Sequence, residues 1–224
     1  EIWDVSESLY CLLKMIDFYT WKTPNGRKIS IMLEETGLEY VTHPVNINEG
    51  EQHQKSFLEI SPNAKIPAIV DQENDLSLFE SGAILLYLSD KTDQFLPYGK
   101  GRWEVLKWLM WQMGGVGPMF GQTHHFLKYN PNASAYASNR YHQETLRLYG
   151  VLNKHLSDQP YLSGEYSIAD IAIWPWVARY GWHQMDWSNF PNVLRWYLEV
   201  AARPAVQRGY DVPEVGETIP IPFE

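Results

Sequence analysis

The sequence predicts an α/β domain followed by an all-helical domain. Two observations carry this. Before residue 93, short apolar strand-like runs alternate with helix-like segments; after the turn-rich stretch Pro97-Tyr98-Gly99-Lys100-Gly101 the strand signals stop and only helical patterns follow. Met15 to Tyr19 is short, apolar and aromatic, a strand. Thr23-Pro24-Asn25-Gly26 reads as a turn by composition. From Arg27 the apolar residues Ile29, Ile31, Met32 and Leu33 lead to Gly37, a helix ended by glycine. Tyr40 to Val45 is a second strand, Asn46 to Gln54 a polar loop, and Lys55 to Ile60 a short helix. Ala68 to Val70 and Leu76 to Phe79 form a hairpin across polar Asp71 to Asp75, and Ser81 to Ser89 is a helix. The first three elements make a βαβ unit, which requires a parallel strand pair.

The helical part starts at Arg102 to Met113, with Gly114-Gly115-Val116-Gly117-Pro118 expected to break or kink it. Asn132 to Leu156 is a long helix, Ser167-Ile168-Ala169-Asp170 opens another as a capping-box variant, and Pro191 to Ala201 is a further one. The tail carries three prolines and reads as extended. The expected organisation is an extension or expression remnant at 1–14, an α/β domain at 15–92, a linker at 93–101, a helical domain at 102–212 and a tail at 213–224. The first domain has the size of a thioredoxin-like fold.

Composition bounds the function. The chain has 224 residues, 45% of them hydrophobic, with ten Trp and fourteen Tyr, enough for a sizeable core and for apolar pockets. A net charge of −9 and a pI near 5.3 disfavour nucleic acid and anionic membrane surfaces as partners. The single cysteine, Cys11, allows neither an internal disulfide nor a cysteine zinc site. A reducing cytoplasm is therefore the expected compartment. No apolar run approaches the roughly 20 residues of a membrane span, and the basic start of a signal peptide is not seen.

Two motifs carry chemistry. Ile66-Pro67 sets a proline before the strand Ala68-Ile69-Val70, which leaves the preceding backbone open to a ligand. In Phe79-Glu80-Ser81-Gly82 a serine opens an apolar helix, where free N–H groups and the helix dipole attract a carboxylate. Together they describe a site for a small, extended, peptide-like anion. Read without a family, Ser81 is as readily a plain helix cap, Ile66–Pro67 an ordinary trans bond, and Thr23 and Asn25 ordinary turn residues.

From Met15 onward the chain resembles cytosolic glutathione transferases. The likeness is to the nu-class-like bacterial enzymes with glutathione-dependent disulfide-bond reductase activity, and to the related fungal nitrogen-regulator group. It rests on Thr23-Pro24-Asn25-Gly26, Ser61 through Ile69, Phe79 through Ile84, Gly114 through Met119, and Tyr166 through Ala172. The resemblance implies glutathione as co-substrate, with Glu80 and Ser81 on the amino and carboxylate groups of its γ-glutamyl end. It also implies a cis Ile66–Pro67 bond, with Ile66 facing the cysteinyl backbone, Gln52 near the glycyl end, and Arg140 on a glutathione carboxylate across an interface. Thr23 and Asn25 are implied as the catalytic pair that stabilises the glutathione thiolate. Tyr19, inside the first strand, is the lesser candidate; Cys11 precedes that strand and is no rival. Trp108, Trp111 and Met119 are expected either in the core or lining an electrophile pocket. His124 and His125 point apart on a helix and make no metal site; Ser167 and Asp170 are assigned to folding. The expectation is a cytoplasmic homodimer that reduces small disulfides with glutathione. Conjugation of glutathione to electrophiles, and a weakly catalytic regulatory protein, are the alternatives.

Overall fold

The structure is a computed structural model and describes residues 15–214 and 216–223. The 1–14 segment, including Cys11, lies outside the described residues. Two compact units are present. One runs to Thr92 and takes in Arg208–Thr218; the other comprises Asp93–Gln207 and the segment from Ile219.

The first unit contains strand β1 (Ile16–Thr20), helix α1 (Pro24–Thr36), β2 (Tyr40–Pro44), a 3-10 turn (Glu51–His53), α2 (Lys55–Leu58), β3 (Ala68–Asp71), β4 (Leu76–Phe79) and α3 (Ser81–Thr92). The sheet order is β2-β1-β3-β4. β1 and β2 are parallel, joined across by α1, and β3 runs antiparallel to both β1 and β4. Ile16 and Phe18 on β1 are fully buried, with Ile29, Met32 and Leu33 of α1 and Ile84, Leu85 and Leu88 of α3. α1 and α3 pack on one another.

Thr23-Pro24-Asn25-Gly26 is not a free turn. Thr23 is the extended N-cap of α1, its hydroxyl oxygen accepting the Gly26 N–H at 3.1 Å, and Pro24 sits in the first helical turn. The same residues suit a turn or a helix start. A proline lacks the N–H that a first turn would leave unpaired, and a threonine supplies the acceptor that the turn needs. At the other end Gly37 adopts φ 68°, the left-handed stop expected of it.

The second unit holds α4 (Lys100–Trp111), α5 (Gly117–Thr123), α6 (Ala135–His155), α7 (Ile168–Val177), α8 (Pro191–Ala201) and the start of α9 (Pro204–Tyr210). The helical path is irregular but unbroken at Gly114 to Pro118, where a break or kink is expected. The chain widens into a π-helical turn over Gln112–Val116, continues as α5, and widens again over His124–Tyr129. Pro118 has no N–H to offer, and entering it from a wider turn closed by the Gly117 N–H on the Gln112 carbonyl keeps the helical path. α6 starts three residues later than expected, where the Ser134 hydroxyl caps Ala137 N–H at 3.2 Å. α7 is buried along its whole length, with Trp174, Trp196, Tyr149 and Tyr197 filling the core around it. The capping box of Ser167 and Asp170 forms as read. α9 is an addition to the expected elements; no cap residue announces it.

Among the described residues no helix is long and apolar enough to cross a membrane, and no three His, Cys, Asp or Glu side chains gather to hold a metal.

Candidate active site

The strand register collects the predicted residues of the first unit at one end of its sheet. Tyr19 pairs with Ala68, and Ala68 pairs with Phe79. Past Tyr19 the chain leaves β1 for Thr23 and Asn25; before Ala68 come Ile66 and Pro67; after Phe79 come Glu80 and Ser81. Thr20 pairs with Pro44 at the same end, and the loop carrying Gln52 follows. Stretches far apart in sequence thus become neighbours because strand ends and helix starts meet there.

The Ile66–Pro67 bond is cis. Ile66 packs with Val45, Phe57 and Ala68, and Tyr19 and Trp21 lie against this cluster. Among the described residues the N–H and carbonyl of Ile66 enter no hydrogen bond. Thr23 and Asn25 are half-buried at the start of α1, Thr23 as the cap and Asn25 at the second helical position. Glu80 adopts φ 72°, left-handed backbone for a residue with a long side chain. Solvent-exposed Glu80 stands one residue ahead of Ser81, which is buried at the first position of α3. Gln52 lies in the 3-10 turn; its Oε1 is buried without a partner, while Nε2 approaches His53 Nε2 at 3.4 Å.

Sequence reasoning missed Lys28. It is fully enclosed, 1% exposed, and its Nζ donates to Ser81 Oγ at 3.2 Å. Burial lowers its pKa to about 7, against the attraction of Glu80. The only sequence signal is its place between Arg27 and Ile29, on a helix whose next residues are all apolar or small. Arg27 is as deeply buried, but it faces elsewhere: Nε donates to the Tyr210 carbonyl at 3.1 Å, the guanidinium lies 3.7 Å from the Tyr210 ring centroid, and it pairs with Glu217.

Tyr19 stacks on His43 at 4.7 Å, and burial raises its pKa, so the phenol keeps its proton. Its ring also lies against Phe57, with centroids 6.2 Å apart. Arg140 is exposed on α6 of the helical unit, so it is not among the residues that the first unit's sheet gathers. Trp108 and Trp111 meet edge-on at 5.1 Å in that helical unit, and Trp108 borders a hollow of about 430 Å³ with His155, Lys154 and Gln159. His124 and His125 do point apart. His125 is exposed; His124 is buried, stacks on Trp176 and hydrogen-bonds His183 Nε2 at 2.8 Å. His183 in turn bonds the Tyr149 hydroxyl at 2.7 Å. Burial lowers both imidazole pKa values, His124 to about 4, so this is a neutral core network.

The geometry has counterparts among known proteins. The Glutathione S-transferase N-terminal domain matches residues 14–90, and the Glutathione S-transferase C-terminal domain matches residues 135–199. The chain belongs to the glutathione transferase family. It is 49% identical over 210 residues to the disulfide-bond oxidoreductase YfcG of Escherichia coli, covering 91% of this chain and 98% of that one. It is 41% identical to the disulfide-bond oxidoreductase YghU of the same organism, over 87% of this chain and 73% of that one. Among solved structures, a family member from Pseudomonas fluorescens with two glutathione bound superposes with a TM-score of 0.86 at 46% identity, covering 90% and 94% of the two chains. A glutathione transferase from Pseudomonas putida with one glutathione disulfide bound per subunit gives 0.86 at 43%, covering 89% and 92%.

Proposed function

We propose that this family member is a glutathione-dependent enzyme that reduces small disulfides by thiol–disulfide exchange. One observation carries the reading. The residues gathered at the end of the first unit's sheet suit a peptide-like zwitterion, and the sequence offers no second cysteine with which the protein could itself cycle through a disulfide.

In this reading Glu80 receives the γ-glutamyl ammonium as a charge-assisted pair. Ser81 and the first N–H groups of α3 receive the α-carboxylate. The unengaged N–H and carbonyl of Ile66, held ahead of β3 by Pro67, pair with the cysteinyl backbone in the manner of an antiparallel strand. Gln52 brings an amide to the glycyl end, where its orphaned buried oxygen finds a donor; rotating the amide offers the NH₂ group instead. The sulfur then lies by the start of α1. A free thiol titrates near 8.5, so about one part in thirty is thiolate at neutral pH. The hydroxyl proton of Thr23 (its oxygen already accepts from Gly26), the Asn25 amide and the positive end of α1 stabilise the thiolate and lower that pKa.

The thiolate attacks one sulfur of the disulfide RS–SR, forming a mixed disulfide and expelling RS⁻. A second glutathione thiolate attacks the glutathionyl sulfur, giving glutathione disulfide and a second RS⁻. Two glutathiones are oxidised and one disulfide is reduced to two thiols, which take up the two protons that the glutathiones lost. Arg140 on a glutathione carboxylate, a homodimeric assembly and a cytoplasmic location complete the proposal; the last agrees with the chain's single cysteine.

The relatives named as disulfide-bond oxidoreductases favour exchange at sulfur over conjugation at carbon. The test follows turnover of a small synthetic disulfide by coupled glutathione disulfide reduction, beside turnover of a chlorinated nitroaromatic electrophile. Faster disulfide turnover is expected. Preference for the aromatic would replace the proposal with a conjugating transferase, and binding without turnover of either would replace it with a regulatory protein.

A further inference from the structure

A lysine is rarely enclosed completely without a charged or functional reason. Lys28 is enclosed, with Ser81 Oγ 3.2 Å from its Nζ and the carboxylate of Glu80 attracting it. When Lys28 is charged its ammonium only donates, so in the 3.2 Å contact Ser81 Oγ accepts and the Ser81 proton is turned away from Lys28. Ser81 is the first residue of α3, where backbone N–H groups have no partner within the helix.

We propose that Lys28 is a positioning residue for the γ-glutamyl end of glutathione. Its ammonium stands behind Ser81, turns that hydroxyl's proton toward the ligand, and supplies the buried countercharge for the ligand's α-carboxylate. The inference deepens the glutathione reading and rests on it.

A neighbouring element brings charge to Lys28. Glu80, at the entry to α3, attracts it; on α1 itself the neighbouring cation, Arg27, is turned to Tyr210 and Glu217. With its pKa lowered by burial to about 7, Lys28 is mostly neutral at pH 8. An arriving carboxylate adds a second negative charge and favours the ammonium. Binding at pH 8 therefore takes up a proton at Lys28, and affinity falls as pH rises. With a lysine that only fills the core, neither effect would depend on the ligand's α-carboxylate.

The experiment is titration calorimetry of the full chain in buffers of different ionisation enthalpy. S-methylglutathione is the probe, because it has no thiol to titrate. At pH 8 we expect uptake of about half a proton or more per site, since the group starts roughly one unit above its own pKa. An analogue lacking only the γ-glutamyl α-carboxylate keeps the amine that Glu80 holds as ammonium, and should take up clearly less. From pH 6.5 to 8 the wild-type Kd should rise about fivefold or more, while Lys28→Met should bind more weakly at pH 6.5 and show a clearly flatter profile. Binding without proton uptake, or equal uptake with both ligands, overturns the role of Lys28 and leaves the glutathione reading standing. No heat of binding for wild type would overturn both. The two wild-type arms decide the matter even where Lys28→Met does not fold.

Discussion

Replacing Asp170 by Asn changes one atom in a fully buried site, and its cost should depend on pH. Asp170 Oδ1 accepts from Leu162 N–H at 3.1 Å and Trp196 Nε1–H at 2.9 Å; Oδ2 accepts from Ser167 N–H at 3.1 Å and from the Ser167 hydroxyl at 3.2 Å. In the Asp170→Asn variant an NH₂ group must face one of these donor pairs. Leaving two buried donors without an acceptor costs about 1–3 kcal/mol each. Against this, burial raises the Asp170 pKa from 3.8 to about 6 despite the four donors, so the ionised carboxylate itself costs stability at pH 7. The variant is relieved of that cost. Net destabilisation at pH 7 should therefore be modest, about 1–3 kcal/mol. At lower pH the two proteins diverge. A carboxyl whose folded pKa is raised binds more protons folded than unfolded between about 4 and 6, so wild type gains stability as pH falls through that window. At pH 5 that gain is about 1 kcal/mol, and the protonated carboxyl can donate to Ser167 Oγ. The amide variant gains nothing. The buried histidines lose stability on acidification in both proteins and cancel in the comparison. Urea unfolding followed by tryptophan fluorescence at pH 7 and pH 5 measures the gap. A gap that stays constant or narrows at pH 5 would contradict this account of the buried carboxyl.

Asn25→Ala should lower kcat for disulfide reduction by about 10²-fold while changing the Kd for glutathione far less; equal losses in both would make Asn25 a residue that positions the ligand. Glu80→Ala should weaken glutathione binding by about 10–100-fold, the worth of one charge-assisted hydrogen bond, and an unchanged Kd by calorimetry would remove it from the site. Gly209→Ala should destabilise the first unit by about 1–3 kcal/mol despite alanine's better helix propensity. An added Cβ would stand 2.6 Å from Ile31 Cα and 2.7 Å from Ile31 N, both backbone. A thermal midpoint equal to wild type or above it would contradict this packing.

The elements most legible in the sequence are those whose signals are local. β4 and α8 have their expected limits, Leu76–Phe79 and Pro191–Ala201, because a polar hairpin and a proline mark them. The Ser167–Asp170 box is legible for the same reason. Thr23 to Gly26 is legible as residues but not as structure, since a turn and a capped helix start want the same side chains. The run from Gly114 to Pro118 marks an irregularity in the helix, but composition does not say that it takes the form of a π-helical turn. The cis Ile66–Pro67 bond follows from family resemblance and not from the residues, since an isolated bond of this kind favours trans.

The order of elements, the two-part organisation and the absence of a cysteine pair are written in the chain itself. They depend on periodicity, punctuation and residue count, which need no partner elsewhere. Which residues share a site is another matter. Glu80 and Thr23 come to the same end of the sheet only through the pairing of Tyr19 with Ala68 and of Ala68 with Phe79, and Lys28 acquires a purpose only when α3 sets Ser81 against it. A buried ammonium is defined by what surrounds it, and those surroundings arrive from 53 positions away along the chain.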